Sequence, residues 1–259
     1  MTADPSVYHS ERLARSYALY RPAVHASIWT RIAATIPPGH EVLSALDIGC
    51  GAGASTRALS AHARDVSGID PSREMLGHAR LALPNAAFTL GRAESLPFDS
   101  ESFDLVAAAG SLNYSEPLAA LREASRVLRS GGRYVAYDFS TGRVGGDETL
   151  LAACFERFRT EFPPLPGYAL DLKALPFGAC ALALTAFETF DVPTAMAVDT
   201  YIEYIRGETN VEAAIAGGMT EAQARRVCDA IFTPLFRGEL RTVQFPAVFA
   251  VARKVAVAR

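Results

Sequence analysis

A chain of 259 residues that is 50% apolar has enough material for one well-covered core, which excludes disorder as its main state. Its formal net charge of -3, with only 20% charged residues, leaves no broad basic field of the kind a nucleic-acid groove needs. Cys50, Cys154, Cys180 and Cys228 lie far apart without a C-x-x-C pair, which argues against a zinc site or a redox dithiol.

Unpaired cysteines fit a reducing compartment. The first seventeen residues mix charged and polar side chains and do not form the apolar stretch of a signal peptide. The apolar run over residues 177–186 is too short to cross a bilayer, so a cytoplasmic protein without a membrane span is expected. No His, Cys, Asp and Glu grouping suggests a metal.

Residues 5–37 read as a helical region broken at Pro22, which would suit the first turn of a second helix. Ile28, Ile32 and Ile36, with Trp29, give that helix an apolar stripe. Residues 42–48 form a short apolar run that ends in glycines, as a buried parallel strand followed by a helix at 54–63 would. Strands at 66–69, 86–90, 103–109 and 133–138 then alternate with helices at 73–82 and 117–128, the latter ended by Ser130-Gly131-Gly132. Short connections in a βαβ rhythm imply right-handed crossovers and a parallel sheet.

Beyond residue 138 the rhythm loosens. Helices are expected at 147–162, 198–206 and 220–236, a sixth strand at 183–190 and a closing strand at 242–252. A long helical excursion between strands would lie as a cap over the carboxyl end of the sheet, where open α/β folds hold their ligands. One domain results: a lid over 1–37, a ligand-binding core over 42–138, a cap with the sixth strand over 145–240, and the closing strand.

The central motif is Leu46-Asp47-Ile48-Gly49-Cys50-Gly51-Ala52-Gly53-Ala54-Ser55. Glycines let the strand turn tightly into a helix whose unpaired N–H groups face a ligand at close backbone range. Asp70 ends the next strand about twenty residues on, where a carboxylate can accept from both hydroxyls of a ribose. Nicotinamide enzymes share this arrangement, with Ala54 standing in their third-glycine position. Asp47 weighs against them: a carboxylate beside a pyrophosphate is repulsive, whereas a ligand with an ammonium and a sulfonium tolerates it.

Gly68-Ile69-Asp70-Pro71-Ser72-Arg73-Glu74-Met75-Leu76, Gly91-Arg92-Ala93-Glu94-Ser95-Leu96-Pro97-Phe98, Ser102-Phe103-Asp104-Leu105-Val106 and Glu123-Ala124-Ser125-Arg126-Val127-Leu128-Arg129-Ser130-Gly131-Gly132 follow the loop in order. With it they resemble the class I S-adenosylmethionine-dependent methyltransferases, in the small-molecule branch of the ubiquinone/menaquinone C-methyltransferases and trans-aconitate-type enzymes. The likeness runs over residues 16–138 and thins beyond. It implies a Rossmann-like, seven-stranded, mostly parallel sheet with helices on both faces, an N-terminal helical lid and a C-terminal helical cap insertion.

By the same resemblance, S-adenosylmethionine is the cofactor. Gly49, Gly51 and Gly53 would line its methionine and ribose side, Asp70 would hold the ribose, and Pro71, Ser72 and Met75 would neighbour the adenine. Ala93 and Glu94 would border the adenine edge. Arg92 stands where the family often has an acid, and an arginine cannot accept from the adenine amino group. Ala109 and Gly110 would end the fourth strand beside the reactive sulfur, with residues 111–114 continuing over it. Tyr17, Tyr20 and Arg21 lie where similar enzymes fold a helix over the cofactor, and Arg21 would meet its carboxylate; packing or surface roles stay open for all three.

Methyl transfer from a sulfonium needs alignment and exclusion of water, and a base only if the acceptor arrives protonated. His9, His25, His40, His62 and His78 form no cluster, and Tyr114, Tyr168 and Asp171 are base candidates on proximity alone, so no catalytic residue is assigned. Phe155, Phe158, Phe162, Tyr168, Phe177 and Phe187 fit either a largely apolar small-molecule acceptor or the cap's own core. An RNA or protein methyltransferase, or a non-catalytic S-adenosylmethionine-binding protein, is the alternative reading. No exposed apolar face sets an oligomeric state.

Overall fold

The computed structural model describes residues 8–37, 41–165, 170–238 and 240–255. The expected helical start at residue 5, His40, the break through 166–167 and Tyr168 lie outside the described residues.

Two helices open the chain, α1 (Glu11–Tyr20) and α2 (Val24–Ala34). Ser10 starts α1 by accepting from the Leu13 backbone N–H. Pro22 does not enter the first turn of α2 as expected; it precedes the N-cap Ala23, where its fixed φ turns the chain out of α1.

A parallel core follows: β1 (Ser44–Ile48), α3 (Ala54–Leu59), β2 (Asp65–Asp70), α4 (Arg73–Ala82), β3 (Ala87–Leu90), β4 (Phe103–Ala109), α5 (Pro117–Val127) and β5 (Leu128–Phe139). The strands lie side by side as β3-β2-β1-β4-β5, all parallel. The chain winds outward in one direction from β1 and then returns to its other side through β4, so a crevice opens at the carboxyl ends of β1 and β4. The glycine pair after α5 does not end that helix; β5 already starts at Leu128 and runs through Gly131 and Gly132.

The remainder comprises β6 (Arg143–Val144), α6 (Glu148–Glu161), β7 (Leu182–Met196), α7 (Val198–Arg206), α8 (Thr209–Ala216), α9 (Glu221–Phe236) and β8 (Arg241–Lys254). β8 is antiparallel to β5, β6 and β7, and it alone runs against the other strands. Among the described residues the sheet therefore has eight strands, correcting the expected seven. The extra one, β6, spans two residues, too short for any periodic signal. β7 runs past the expected end at Phe190 because Pro193 sits on a strand paired only with β8, where the missing N–H can face outward.

Side-chain alternation splits the core across the sheet. Ala45, Leu105, Ala107, Val135 and Phe249 pack toward α2, α6, α7 and α9, while Leu46, Ile48, Val106, Ala108 and Ala136 pack toward α5. Both faces are covered, as continuous apolar strands require. A small third cluster of Leu13, Ala14, Ala52 and Met75 seats α1 on the glycine loop and α4. Among the described residues no helix is long and apolar enough to cross a membrane.

Candidate active site

A cavity of about 430 Å³ opens at the carboxyl ends of β1, β2, β4 and β5. Its floor is the loop after β1. Gly49 and Gly51 hold φ of +68° and +51° there, a region that side chains with a Cβ enter at a cost. Gly49 needs glycine twice over, because a Cβ would collide with the Ser111 side chain.

Asp70 closes one end. Its Oδ2 accepts from the Gly51 N–H at 2.9 Å and its Oδ1 from the Ser72 N–H at 2.8 Å. The carboxylate thus braces the glycine loop against the start of α4, and burial raises its pKa against those two backbone bonds. Each oxygen keeps a further lone-pair direction for a ligand.

Of the expected binding residues, Tyr17, Arg21, Gly49, Gly51, Asp70, Pro71, Met75, Ala93, Glu94 and Ala109 line the cavity. Tyr20, Asp47, Gly53 and Ser72 are not in its wall. Asp47 lies fully buried beneath the loop, where its Oδ2 accepts from Ser55 Oγ at 2.6 Å and Thr56 Oγ1 at 2.7 Å. It ties the loop to the first turn of α3 and does not face the cavity directly. Gly53 is the N-cap of α3, and Ser72 caps α4 while bonding the Tyr8 carbonyl at 2.8 Å. Tyr20 ends α1.

The lid residues form a roof. Tyr8 Oη lies 2.8 Å from Tyr114 Oη and 3.3 Å from Tyr17 Oη, so the segment before α1 meets the turn after β4. Arg21 does not stand free for a carboxylate: it pairs with Glu208 at 3.2 Å and packs over the rings of Tyr17, Phe139 and Tyr204. Arg12 makes a second pair with Glu212 on α8. The α1 and α8 regions are thereby joined to each other. Arg92 is exposed and lies 3.4 Å from Glu94, whose Oε1 accepts from the Glu116 N–H.

Of the base candidates, Tyr114 lines the cavity, whereas Asp171 caps a short turn through Lys173. Phe158 also lines it; Phe162 and Phe177 are core residues and Phe155 packs on Phe232. His62 stacks on Trp29 and His78 pairs with Glu11.

Sequence reasoning missed His25, Tyr137, Asp138, Phe139 and the junction 208–210, all in the cavity wall. His25 Nδ1 lies 2.9 Å from Tyr137 Oη, and burial, then the nearby Arg21, pushes the imidazole down to about 3. A signal existed for it: position 25 continues the 28, 29, 32, 36 stripe of α2. Asp138 sits at the carboxyl end of a correctly expected strand, the place where open sheets present ligand-binding groups.

A family model described as a methyltransferase domain matches residues 46–136, the segment that builds this floor and the first four strand ends. Residues 46–136 thus carry the likeness to a methyltransferase domain. An uncharacterized methyltransferase of Mycobacterium tuberculosis is 43% identical over 88 residues, 34% of this chain and 36% of that protein. A ubiquinone/menaquinone biosynthesis C-methyltransferase of Campylobacter jejuni is 33% identical over 133 residues, 48% of this chain and 55% of that one. The methyltransferase domain here thus spans about a third to a half of the curated relatives it matches. In three dimensions, a putative type II methyltransferase from Anaeromyxobacter dehalogenans superposes with a TM-score of 0.65 at 20% identity, covering 90% of this chain and 97% of that one. That likeness shows the methyltransferase fold.

Proposed function

We propose that this protein binds S-adenosylmethionine at the carboxyl ends of β1, β2 and β4 and transfers its methyl group to a small-molecule acceptor. The observation that carries this reading is the cradle itself: a left-handed glycine floor facing a braced, buried Asp70 carboxylate across one cavity. The residues present fit the group. Gly49 and Gly51 leave the backbone open to the methionine and ribose portion, Asp70 accepts from the ribose hydroxyls, Met75 packs beside the adenine, and Ala93 and Glu94 border its edge. Gly53, Ser72 and Asp47 act one layer out by shaping the loop and the start of α4. Tyr17 and Arg21 roof the site, and Tyr20 is the last residue of the lid helix.

When bound, the cofactor supplies an electrophilic methyl on a positively charged sulfur that leaves as a neutral thioether. The protein's part is to orient the acceptor and exclude water, which the lid and cap do by meeting over the cavity. A concave cavity partly roofed by residues of α1 and α8 supports a small acceptor over a polymer, since RNA or a protein chain needs an extended groove with its own recognition surface. The lid over 1–37, the core over 42–138 and the cap over 145–240 divide these tasks. A cytoplasmic setting belongs to the same reading and is supported by four unpaired, buried cysteines.

Calorimetry with S-adenosylhomocysteine tests it. The full chain should bind it, reduced nicotinamide cofactor should give no heat, and Asp70→Ala should weaken binding at least about tenfold, the loss expected for a charge-assisted hydrogen bond. A folded wild-type protein that takes up no S-adenosylhomocysteine ends the proposal.

A further inference from the structure

Asp138 is a carboxylate of the cavity wall that the cofactor reading leaves without a task. It closes β5, lines the cavity and faces the end of β4: a Cβ added at Gly110 would come within 2.9 Å of its Oδ1. Its partners are neutral. Asn113 Nδ2 donates to Oδ2 at 3.2 Å and the Phe139 N–H donates to Oδ1 at 2.8 Å. Among the described residues no ion pair includes Asp138, and the cation nearest in role, Arg21, is committed to Glu208. The side chain is half-buried at the cavity wall, so its carboxylate is open to a donor that a ligand supplies.

Resting on the methyl-transfer reading above, we propose that Asp138 is the catalytic base, and that the acceptor is a neutral small molecule whose attacking atom carries a polar hydrogen, a hydroxyl or amine. The acceptor's hydrogen points at a carboxylate oxygen held by Asn113 and Phe139. On attack, a lone pair of the heteroatom forms the bond to the methyl carbon, and the carbon–sulfur pair stays on sulfur. The heteroatom keeps the electrons of its bond to hydrogen, and the proton passes to Asp138. One positive and one negative charge disappear together, so the low-dielectric enclosure that penalises both in the ground state favours the step. Burial, with a smaller push from Glu208, also raises the Asp138 pKa against the bonds from Phe139 and Asn113 and the charge of Arg21, which makes the group a stronger base than a surface carboxylate.

The neighbouring His25 and Tyr137 are poorer candidates on geometry, because they already bond to each other at 2.9 Å. They hold the wall against which the acceptor packs.

Paired ring probes read this directly on S-adenosylhomocysteine-saturated protein by ligand-observed NMR: phenol against anisole, and aniline against N,N-dimethylaniline. At least one hydrogen-bearing probe should bind about tenfold more tightly than its methylated partner, as a hydrogen bond to a charged group implies. Asp138→Asn should reduce that preference to within about twofold, since the amide is no longer a charged acceptor, and Arg159→Ala, on the exposed side of α6 away from the cavity, should leave it unchanged. Retained S-adenosylhomocysteine affinity shows that each variant is folded. Equal or undetectable binding of both pairs by wild-type protein that binds S-adenosylhomocysteine overturns the proposal, as does a preference that survives Asp138→Asn. Failure to bind S-adenosylhomocysteine instead sinks the cofactor reading. The phenol and aniline arms separate oxygen from nitrogen acceptors.

Discussion

Gly49 and Gly51 stand two positions apart in one loop with similar backbone angles, yet the packing around them differs. Both have positive φ, so either alanine substitution costs about 1–2 kcal/mol of backbone strain. Around Gly51 no other atom lies within 4 Å of the added methyl, and the cost should stop there. At Gly49 the methyl meets Ser111, whose Oγ donates to the Ile48 carbonyl at 2.6 Å and so cannot swing aside freely. Gly49→Ala should therefore be the less stable variant by at least about 1 kcal/mol in urea unfolding, because overpacking adds to strain. It should also lose more affinity for S-adenosylhomocysteine, since relief of the clash moves the floor. Equal stability of the two variants would mean that the β4 turn yields without cost.

The elements were legible wherever a local pattern was reinforced by tertiary burial. The expected strand at 103–109 is β4, a continuous apolar run covered on both faces, and the expected helix at 198–206 is α7, which buries the stripe its period marks. The sequence left β6 and α8 unread: two residues carry no period, and α8 is held by its neighbours more than by an apolar stripe of its own. In the site, Asp70 and the glycines announced themselves through spacing. Asp138 and His25 did not, since their place in the cavity wall comes from strands and helices meeting far apart in sequence. Arg21 was read as available for a ligand, but its partner Glu208 lies 187 positions away, a distance no motif bridges. That pair bears on the lid. α1 fully buries only Leu13 and Ala14, which holds it by a few kcal/mol at roughly 1.5–3 kcal/mol for a buried leucine. Its ion pairs to the cap, Arg12–Glu212 and Arg21–Glu208, add to this without making it permanent. Deleting residues 1–22 should leave the sheet folded and raise the S-adenosylhomocysteine dissociation constant at least about tenfold, chiefly through faster release. An unchanged dissociation rate by stopped flow would remove the lid from the account.

For the whole molecule, two buried groups make stability depend on pH in opposite directions. Burial pushes the Asp47 carboxyl up to about 6, against the bonds from Ser55 and Thr56. Between about 4 and 6 the native state therefore holds a proton that the unfolded chain has released. Its contribution is complete below the unfolded value and lost as pH rises through about 6, a swing of roughly 3 kcal/mol. His25 works the other way: burial and then Arg21 push it down to about 3, so the unfolded chain takes up a proton that the native state refuses. Its contribution is present above about 6.5 and drains away as pH falls. The two slopes oppose each other over the same range, so wild-type stability should vary less with pH than either group alone dictates. Asp47→Asn removes the loss on the alkaline side, and its stability relative to wild type should climb from about pH 4 to pH 8. His25→Phe leaves Tyr137 Oη without that partner, a fixed cost, but abolishes the acid penalty; its stability relative to wild type should climb as pH falls. Urea unfolding across the range measures both as slopes, which separates proton linkage from the constant cost of altered packing. Parallel curves for either variant and wild type would show that the group titrates alike in the native and unfolded states.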